Sequence, residues 1–306
     1  MMRIAHVSDL HVLSPAGVEW RRILFNKRLT GHANLVMRRS RVYRREYLRM
    51  VLAQAAARAD QIVVTGDITN LSLESEYIAA RALLDDVART TEVTVVPGNH
   101  DVYLPAIFRE RDFVRHFDPF LQSDLPQLAR DLEAGRYPCV KLRGPVALIA
   151  LTSAVPRPPF VSAGVLGREQ LAALEAVLAH PEVARRTPVL LIHHPPVDHR
   201  PRVVRLRDGL VDAAAFGRSV AGLARGLVLY GHIHERERRV LPTTTGGLDV
   251  VSASGGALDD PRASVRAGFN LYDIDDDGAI VSVQAWMVDE SGTAVTRAEI
   301  VDRRRS

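Results

Sequence analysis

A single cysteine, Cys139, occurs in the 306 residues. That count excludes an internal disulfide, and the lack of other thiols argues against a structural zinc site built on thiolates. Long apolar runs are missing too: nothing approaches the roughly 20 consecutive residues a bilayer-crossing helix needs. The opening MMRIAHVSDLH has neither an apolar leader core nor a small-residue cleavage site, so a cytoplasmic protein in a reducing compartment is expected. Aromatic residues are scarce at 6%, and Trp20, Phe25 and Tyr43 show no pattern of the kind that stacks nucleic-acid bases. Repeats, low-complexity tracts and long linkers are also absent. With 47% hydrophobic and 25% charged residues, the chain reads as one globular domain over 1–306 with a sizeable core.

Charge is present but uneven. The net value is +4. Between Trp20 and Arg49, ten basic residues face the single acid Glu46, which leaves that window at +9 and the remainder at −5. Trp20, Ile23, Leu24, Phe25, Leu29, Leu35, Val36 and Met37 interleave with these arginines and lysines. Segment 17–47 is therefore a basic amphipathic insertion. Three readings stay open for it: a helical hairpin packed on the core, a cap over substrate, or a contact with the inner face of a membrane.

Five short apolar runs end abruptly in polar residues. They are Arg3–Val7 before Asp9, Gln61–Thr65 before Asp67, Val93–Val96 before Asn99, Val189–Ile192 before His193, and Leu227–Tyr230 before His232. Such runs, bounded by glycine and proline, predict buried strands. Helical patterns separate them over Glu46–Ala59, over Glu74–Ala88 with Ser72 as expected N-cap, and over Arg168–Ala179. Beyond residue 246 the helices stop and strands alternate, with a turn at Asp275-Asp276-Asp277-Gly278. Residues 246–306 are expected to complete a second sheet.

Asp9 and His11, one residue apart on extended backbone, point the same way, and His232 and His234 repeat the arrangement. Either pair alone is common by chance. Jointly, five strand ends on one sheet edge deliver Asp9, His11, Asp67, Asn99, His193, His232 and His234 into one crevice. Seven donors exceed the needs of one ion but suit two, and imidazole, carboxylate and amide together suit Mn²⁺, Fe²⁺/Fe³⁺ or Zn²⁺.

In their order, Asp9-Leu10-His11, Gly66-Asp67-Ile68-Thr69-Asn70, Gly98-Asn99-His100-Asp101, His193-His194-Pro195-Pro196 and Gly231-His232-Ile233-His234 resemble the five blocks of calcineurin-like metallophosphoesterases. The resemblance implies a four-layer α/β/β/α sandwich, two mixed sheets flanked by helices. It further implies that one ion takes Asp9, His11 and His234, that the other takes Asn99, His193 and His232, and that Asp67 bridges them. His194 would then sit behind the ligands or at the pocket edge. Two cations about 3.5–4 Å apart would hold a bridging hydroxide for attack on phosphorus. His100 would stabilise the transition state or protonate the leaving oxygen, and Asp101 would orient its ring.

Thr65–Asn70 and His193–Pro196 are similar to class III cyclic-nucleotide and glycerophosphodiester phosphodiesterases. The insertion's Asn26-Lys27-Arg28, Gly31, Asn34 and Arg38-Arg39 resemble those of chlamydial-type UDP-2,3-diacylglucosamine pyrophosphohydrolases of lipid A synthesis. A phosphodiesterase is expected, acting on a phosphodiester or pyrophosphate small molecule; a lipid-linked pyrophosphatase is the alternative. A nucleic-acid or assembly-binding module is the non-enzymatic one, which seven intact ligands and His100 oppose.

Overall fold

The computed structural model describes residues 1–14 and 42–304; most of the 17–47 insertion lies outside them. In the first sheet, β1 (Met2–Val7), β2 (Gln61–Val64) and β3 (Glu92–Val95) run parallel. Helices α1 (Arg45–Ala56) and α2 (Glu74–Ala88) join them. Parallel pairing forces crossovers of this length, and a helix is the economical way to make one. After α3 (Pro105–Arg109), α4 (Asp112–Phe117) and the small ribbon of β4 (Arg130–Leu132) and β5 (Gly135–Tyr137), the chain enters the second sheet.

That sheet begins with the hairpin β6 (Cys139–Arg143) and β7 (Val146–Ala150). It continues through α5 (Arg168–Ala179) and α6 (Pro181–Ala184) to β8 (Thr187–Leu191). Helices α7 (Arg202–Asp208) and α8 (Ala213–Ser219) lead on to β9 (Leu227–Tyr230), followed by β10 (Glu237–Pro242) and β11 (Gly247–Ser252).

The remaining strands are β12 (Gly268–Ile274), β13 (Ile280–Val288), β14 (Val295–Ala298) and β15 (Val301–Asp302). Their distribution corrects the expectation that all of 246–306 joins the second sheet. The orders are β14-β13-β12-β1-β2-β3 and β15-β10-β11-β9-β8-β7-β6. β12 pairs antiparallel with β1, covering an edge that would otherwise leave a row of backbone groups unpaired beside the site.

Period-two burial explains the layering. On β7, β8 and β9, Leu148, Val189, Leu191, Leu227 and Leu229 face the first sheet and join its core. The alternate residues Ile149, Leu190, Val228 and Tyr230 face outward under Leu171, Leu174, Val177 and Phe216 of α5 and α8. Each such buried side chain contributes about 1.5–3 kcal/mol. With α1 and α2 covering the first sheet through Leu48, Leu52 and Leu84, the result is the four-layer α/β/β/α sandwich. Among the described residues, no helix is long and apolar enough to cross a membrane.

The start of α2 differs from expectation. Ser72 is not the cap: its φ is 53°, its hydroxyl donates to the His100 carbonyl at 2.6 Å, and it accepts from the Tyr103 N–H at 3.0 Å. Glu76 reaches back instead, accepting from the N–H groups of Asn70, Leu71 and Leu73. A carboxylate in the first turn does the capping.

Candidate metal centre

The loops that follow β1, β2, β3, β8 and β9 lie side by side. Asp9 N–H donates to Gly66 O at 3.0 Å and His11 N–H to Asp67 O at 2.9 Å, so the first two loops run as a pair. Asp9, His11, Asp67, His232 and His234 all have positive φ, between 43° and 69°. Non-glycine residues rarely accept that conformation, and its concentration on five of the seven candidate ligands marks a site where backbone strain is tolerated to aim side chains. Glycine makes room for the loops to converge. A Cβ at Gly98 would collide with the Asp67 carboxylate, and one at Gly231 would collide with Ser8 and Asp9.

All seven expected ligands meet here, in two groups. In one, His234 Nε2 lies 3.0 Å from Asp9 Oδ1 and 3.4 Å from His11 Nε2, and His11 Nε2 is 3.9 Å from Asp67 Oδ2. In the other, His193 Nε2 lies 3.2 Å from both Asn99 Oδ1 and His232 Nδ1, and 3.5 Å from Asp67 Oδ1. Asp67 thus turns one oxygen to each group. Imidazole nitrogens 3.2–3.4 Å apart, facing carboxylate oxygens in a buried crevice, form a set of converging lone pairs that calls for cations between them. Oxygen and nitrogen donors without thiolate fit divalent ions of intermediate softness. The residues fit a two-metal centre.

Electrostatics agree with that crowding. Burial pushes the Asp67 carboxyl up, but His193, His100 and His11 outweigh it and hold the pKa well below the usual range. For His193, burial lowers the pKa and the Asp67 carboxylate more than offsets it, raising it to about 9. Burial, with His194 and His193 nearby, holds His232 well below its ordinary value.

Hydrogen bonds distinguish the two adjacent histidines. His193 Nδ1–H donates to Thr65 O at 2.7 Å, which presents Nε2 to the cluster. His194 lies within reach of His193 and His232, yet both its nitrogens are engaged, with Ser153 Oγ at 2.8 Å and Ser162 O at 2.7 Å. It is better placed as a buried brace than as a ligand. Burial and the neighbouring His193 charge lower its pKa to about 3, consistent with a neutral ring. Gly164 is what lets that ring lie against the backbone.

His100 sits at the rim. Its N–H donates to Asp67 Oδ1 at 2.8 Å, and its ring meets His11 edge-on at 4.9 Å. Asp101 does not orient it as expected. The imidazole Nδ1–H donates to Asn70 O at 2.6 Å. The Asp101 carboxylate turns inward and accepts from the backbone of Gly98, Ile68 and Thr69 and from the Thr69 hydroxyl. Buried beside Asp67, its carboxyl is pushed up to about 7. The reason is backbone satisfaction: two glycine-containing ligand loops leave buried N–H groups that need an acceptor. The roles of Asn70, Thr69, Ser153 and Ser162 escaped sequence reasoning.

Tyr43 was also missed. Its hydroxyl is 3.4 Å from His234 Nδ1, and its ring meets that of His11 at 4.8 Å. The end of the insertion is held against the loop after β11: Arg44 N–H donates to Ala257 O, Asp259 N–H to Val42 O, and Arg44 pairs with Asp259 at 2.6 Å.

Two mixed sheets whose strand ends focus histidine, carboxylate and amide on one rim define a metal-dependent phosphoester hydrolase. The chain belongs to the calcineurin-like phosphoesterase family, whose sequence model matches residues 2–236. It is 29% identical over 244 residues to a cAMP/cGMP dual specificity phosphodiesterase of Mycobacterium tuberculosis, an overlap of 76% of this chain and 68% of that protein. Its fold is similar to that of a dimetal phosphatase from Danio rerio, with a TM-score of 0.55 at 15% identity over 97% of this chain and 98% of that one. It is also similar to a purple acid phosphatase from yellow lupin (Lupinus luteus), with a TM-score of 0.62 at 12% identity, over 99% of this chain and 54% of that one.

Proposed function

We propose that the protein is a dinuclear metal-dependent phosphodiesterase. The observation that carries this is Asp67, whose two oxygens face separate ligand groups, 3.9 Å from His11 and 3.5 Å from His193. Asp9, His11 and His234 would hold one ion and Asn99, His193 and His232 the other. Two divalent cations, when bound, supply Lewis acidity, neutralise charge growing on phosphoryl oxygens and lower the pKa of water.

The chain does the rest. Thr65 fixes the His193 tautomer, and Asp101 keeps the ligand loops in register. With Nδ1–H committed to Asn70, His100 exchanges its proton through Nε2, handing it to the leaving oxygen. The likeness to a cyclic-nucleotide phosphodiesterase favours a diester over a monoester, with cyclic nucleotides or glycerophosphodiesters as the substrates.

The test is Mn²⁺-loaded hydrolysis of a phosphomonoester, an aryl phosphodiester, cyclic AMP, a glycerophosphodiester and UDP-diacylglucosamine. Turnover of at least one diester, abolished in Asp67→Ala with reduced metal content, is expected. Activity on the monoester alone would defeat the reading, and turnover only of UDP-diacylglucosamine would favour the lipid-linked alternative.

A further inference from the structure

Large apolar side chains exposed to water are few among the described residues, and four of them lie on the loop after β7, on α7 and on the turn that follows it. Phe160 is 82% exposed, Val203 78%, Leu206 67% and Val211 63%. Ser162 N–H donates to Arg207 O at 2.9 Å, Gly164 N–H to Gly209 O at 3.0 Å and Val211 N–H to Gly164 O at 2.9 Å. These bonds lay the loop bearing Phe160 along α7 and the turn after it. Val203 and Leu206 are three apart on α7 and share one side of it.

Phe160 follows Pro158-Pro159 and has a φ of 68°, a costly conformation for a bulky side chain. Nothing inside the fold is gained by it, since the ring points into solvent. A rigid loop that holds an aromatic ring outward loses little conformational entropy when that ring is buried against something else.

Charge narrows what that something is. Below the patch lies a groove of about 350 Å³ lined by Arg202, Arg205, Leu206, Val211, Pro195 and Pro196, among others. The prolines directly follow His193 and His194, so the groove adjoins the loop that carries a candidate ligand. The acids of this stretch are already used. Asp198 pairs with Arg200 and Asp208 with Arg207, while Asp212 accepts from the N–H groups of Leu166 and Gly167. Arg202 and Arg205 form no ion pair with a carboxylate among the described residues. Arg205 lies near enough to help lower the Asp198 pKa, yet four arginines against three acids leave 198–212 net positive. Exposed guanidinium groups beneath a rim of Phe, Val and Leu match a surface that is anionic at headgroup level and apolar just beyond it.

We propose that this face docks on an anionic phospholipid bilayer, with Arg202 and Arg205 meeting lipid phosphates and Phe160, Val203 and Leu206 entering the acyl boundary. The proposal does not depend on which phosphoester is hydrolysed.

The test is co-sedimentation of the full chain with vesicles of phosphatidylcholine alone or of phosphatidylcholine with phosphatidylglycerol. Binding only to the second kind is expected. Arg202→Gln with Arg205→Gln should weaken it about 30-fold, and Phe160→Ser with Leu206→Ser should weaken it at least as much. All four positions are exposed, so the thermal midpoint and hydrolysis of a soluble aryl phosphodiester should stay unchanged. Equal binding to both vesicle types, or binding to neither, overturns the proposal. So does binding to the anionic vesicles that both double variants retain, which would place membrane contact elsewhere on the chain. Release from the anionic vesicles by millimolar inorganic phosphate at constant ionic strength would instead indicate a soluble-anion site, and would also overturn it.

Discussion

Tyr43 reaches the candidate metal centre from outside the five loops that carry the candidate ligands. If His234 offers Nε2 to a cation, its Nδ1–H needs an acceptor, and the Tyr43 hydroxyl stands 3.4 Å away. Groups that hold the far nitrogen of a ligating histidine typically change metal affinity 10- to 100-fold when removed. Tyr43→Phe keeps the ring against His11 but removes the oxygen. Calorimetric titration of the metal-stripped protein with Mn²⁺ should show one of two binding steps weakened about 10-fold. An isotherm that superimposes on the wild type would remove Tyr43 from the site. Much at this scale was legible in advance. The seven candidate ligands could be picked out because five of them follow apolar runs and His11 and His234 lie two residues beyond two of those five, so one pattern gave both position and chemistry. Asn70 could not, because its contribution is a backbone carbonyl that every residue type possesses. Asp101 was misread for a related reason: adjacency to His100 in sequence said nothing about the inward turn of its side chain.

At the scale of elements, the outer strands β3 and β6 belong to different sheets and meet across the sandwich. Lys141 on β6 is buried; its Nζ donates to Val93 O at 2.8 Å and lies 3.3 Å from Glu92. Arg143 grips the same carboxylate through Nε and Nη2 at 2.5 and 2.7 Å. The Arg143 hydrogen bond is the chief reason the Glu92 pKa is lowered, while burial lowers that of Lys141. Removing one partner of such a cluster costs more than the pair is worth, because a desolvated charge is left behind. Glu92→Gln should therefore destabilise by about 1–2 kcal/mol, discounted for its partial exposure. Lys141→Met loses the bond to Val93 O but leaves Glu92 still held by Arg143, so no charge is stranded and its cost should be the smaller of the two. Denaturant unfolding at constant m measures both; equal losses would show that the ion pair, not the stranded charge, sets the cost. Strand existence was readable from composition at this level. Sheet membership was not, since β12 and β11 carry similar apolar patterns and differ in which edge was left open for them.

Across the whole molecule, the two sheets are joined by a buried polar chain as well as by apolar packing. His6 on β1 contacts Thr65 Oγ1 at 2.8 Å through Nε2 and the Tyr272 hydroxyl at 3.2 Å through Nδ1. Asn270 donates to that hydroxyl at 3.3 Å and, across the interface, to Ser252 O on β11 at 2.9 Å. Burial dominates at His6 and lowers its pKa to about 3, with Asp9 opposing only in part. The folded protein therefore keeps His6 neutral where an unfolded chain, with a histidine pKa of about 6.5, takes up a proton. Between about pH 3 and 6.5 the unfolded state holds one more proton at this residue. Its contribution makes stability rise with pH through that window, by up to about 1.4 kcal/mol per unit, and become complete above it. His6→Gln retains polar contacts and removes the titration. Unfolding free energies of the metal-stripped variant between about pH 4 and 6 should climb less steeply than those of the wild type, by about one proton. Parallel slopes would mean that acid enters the fold elsewhere first. In that case the polar chain between the sheets would not be what limits the sandwich at low pH.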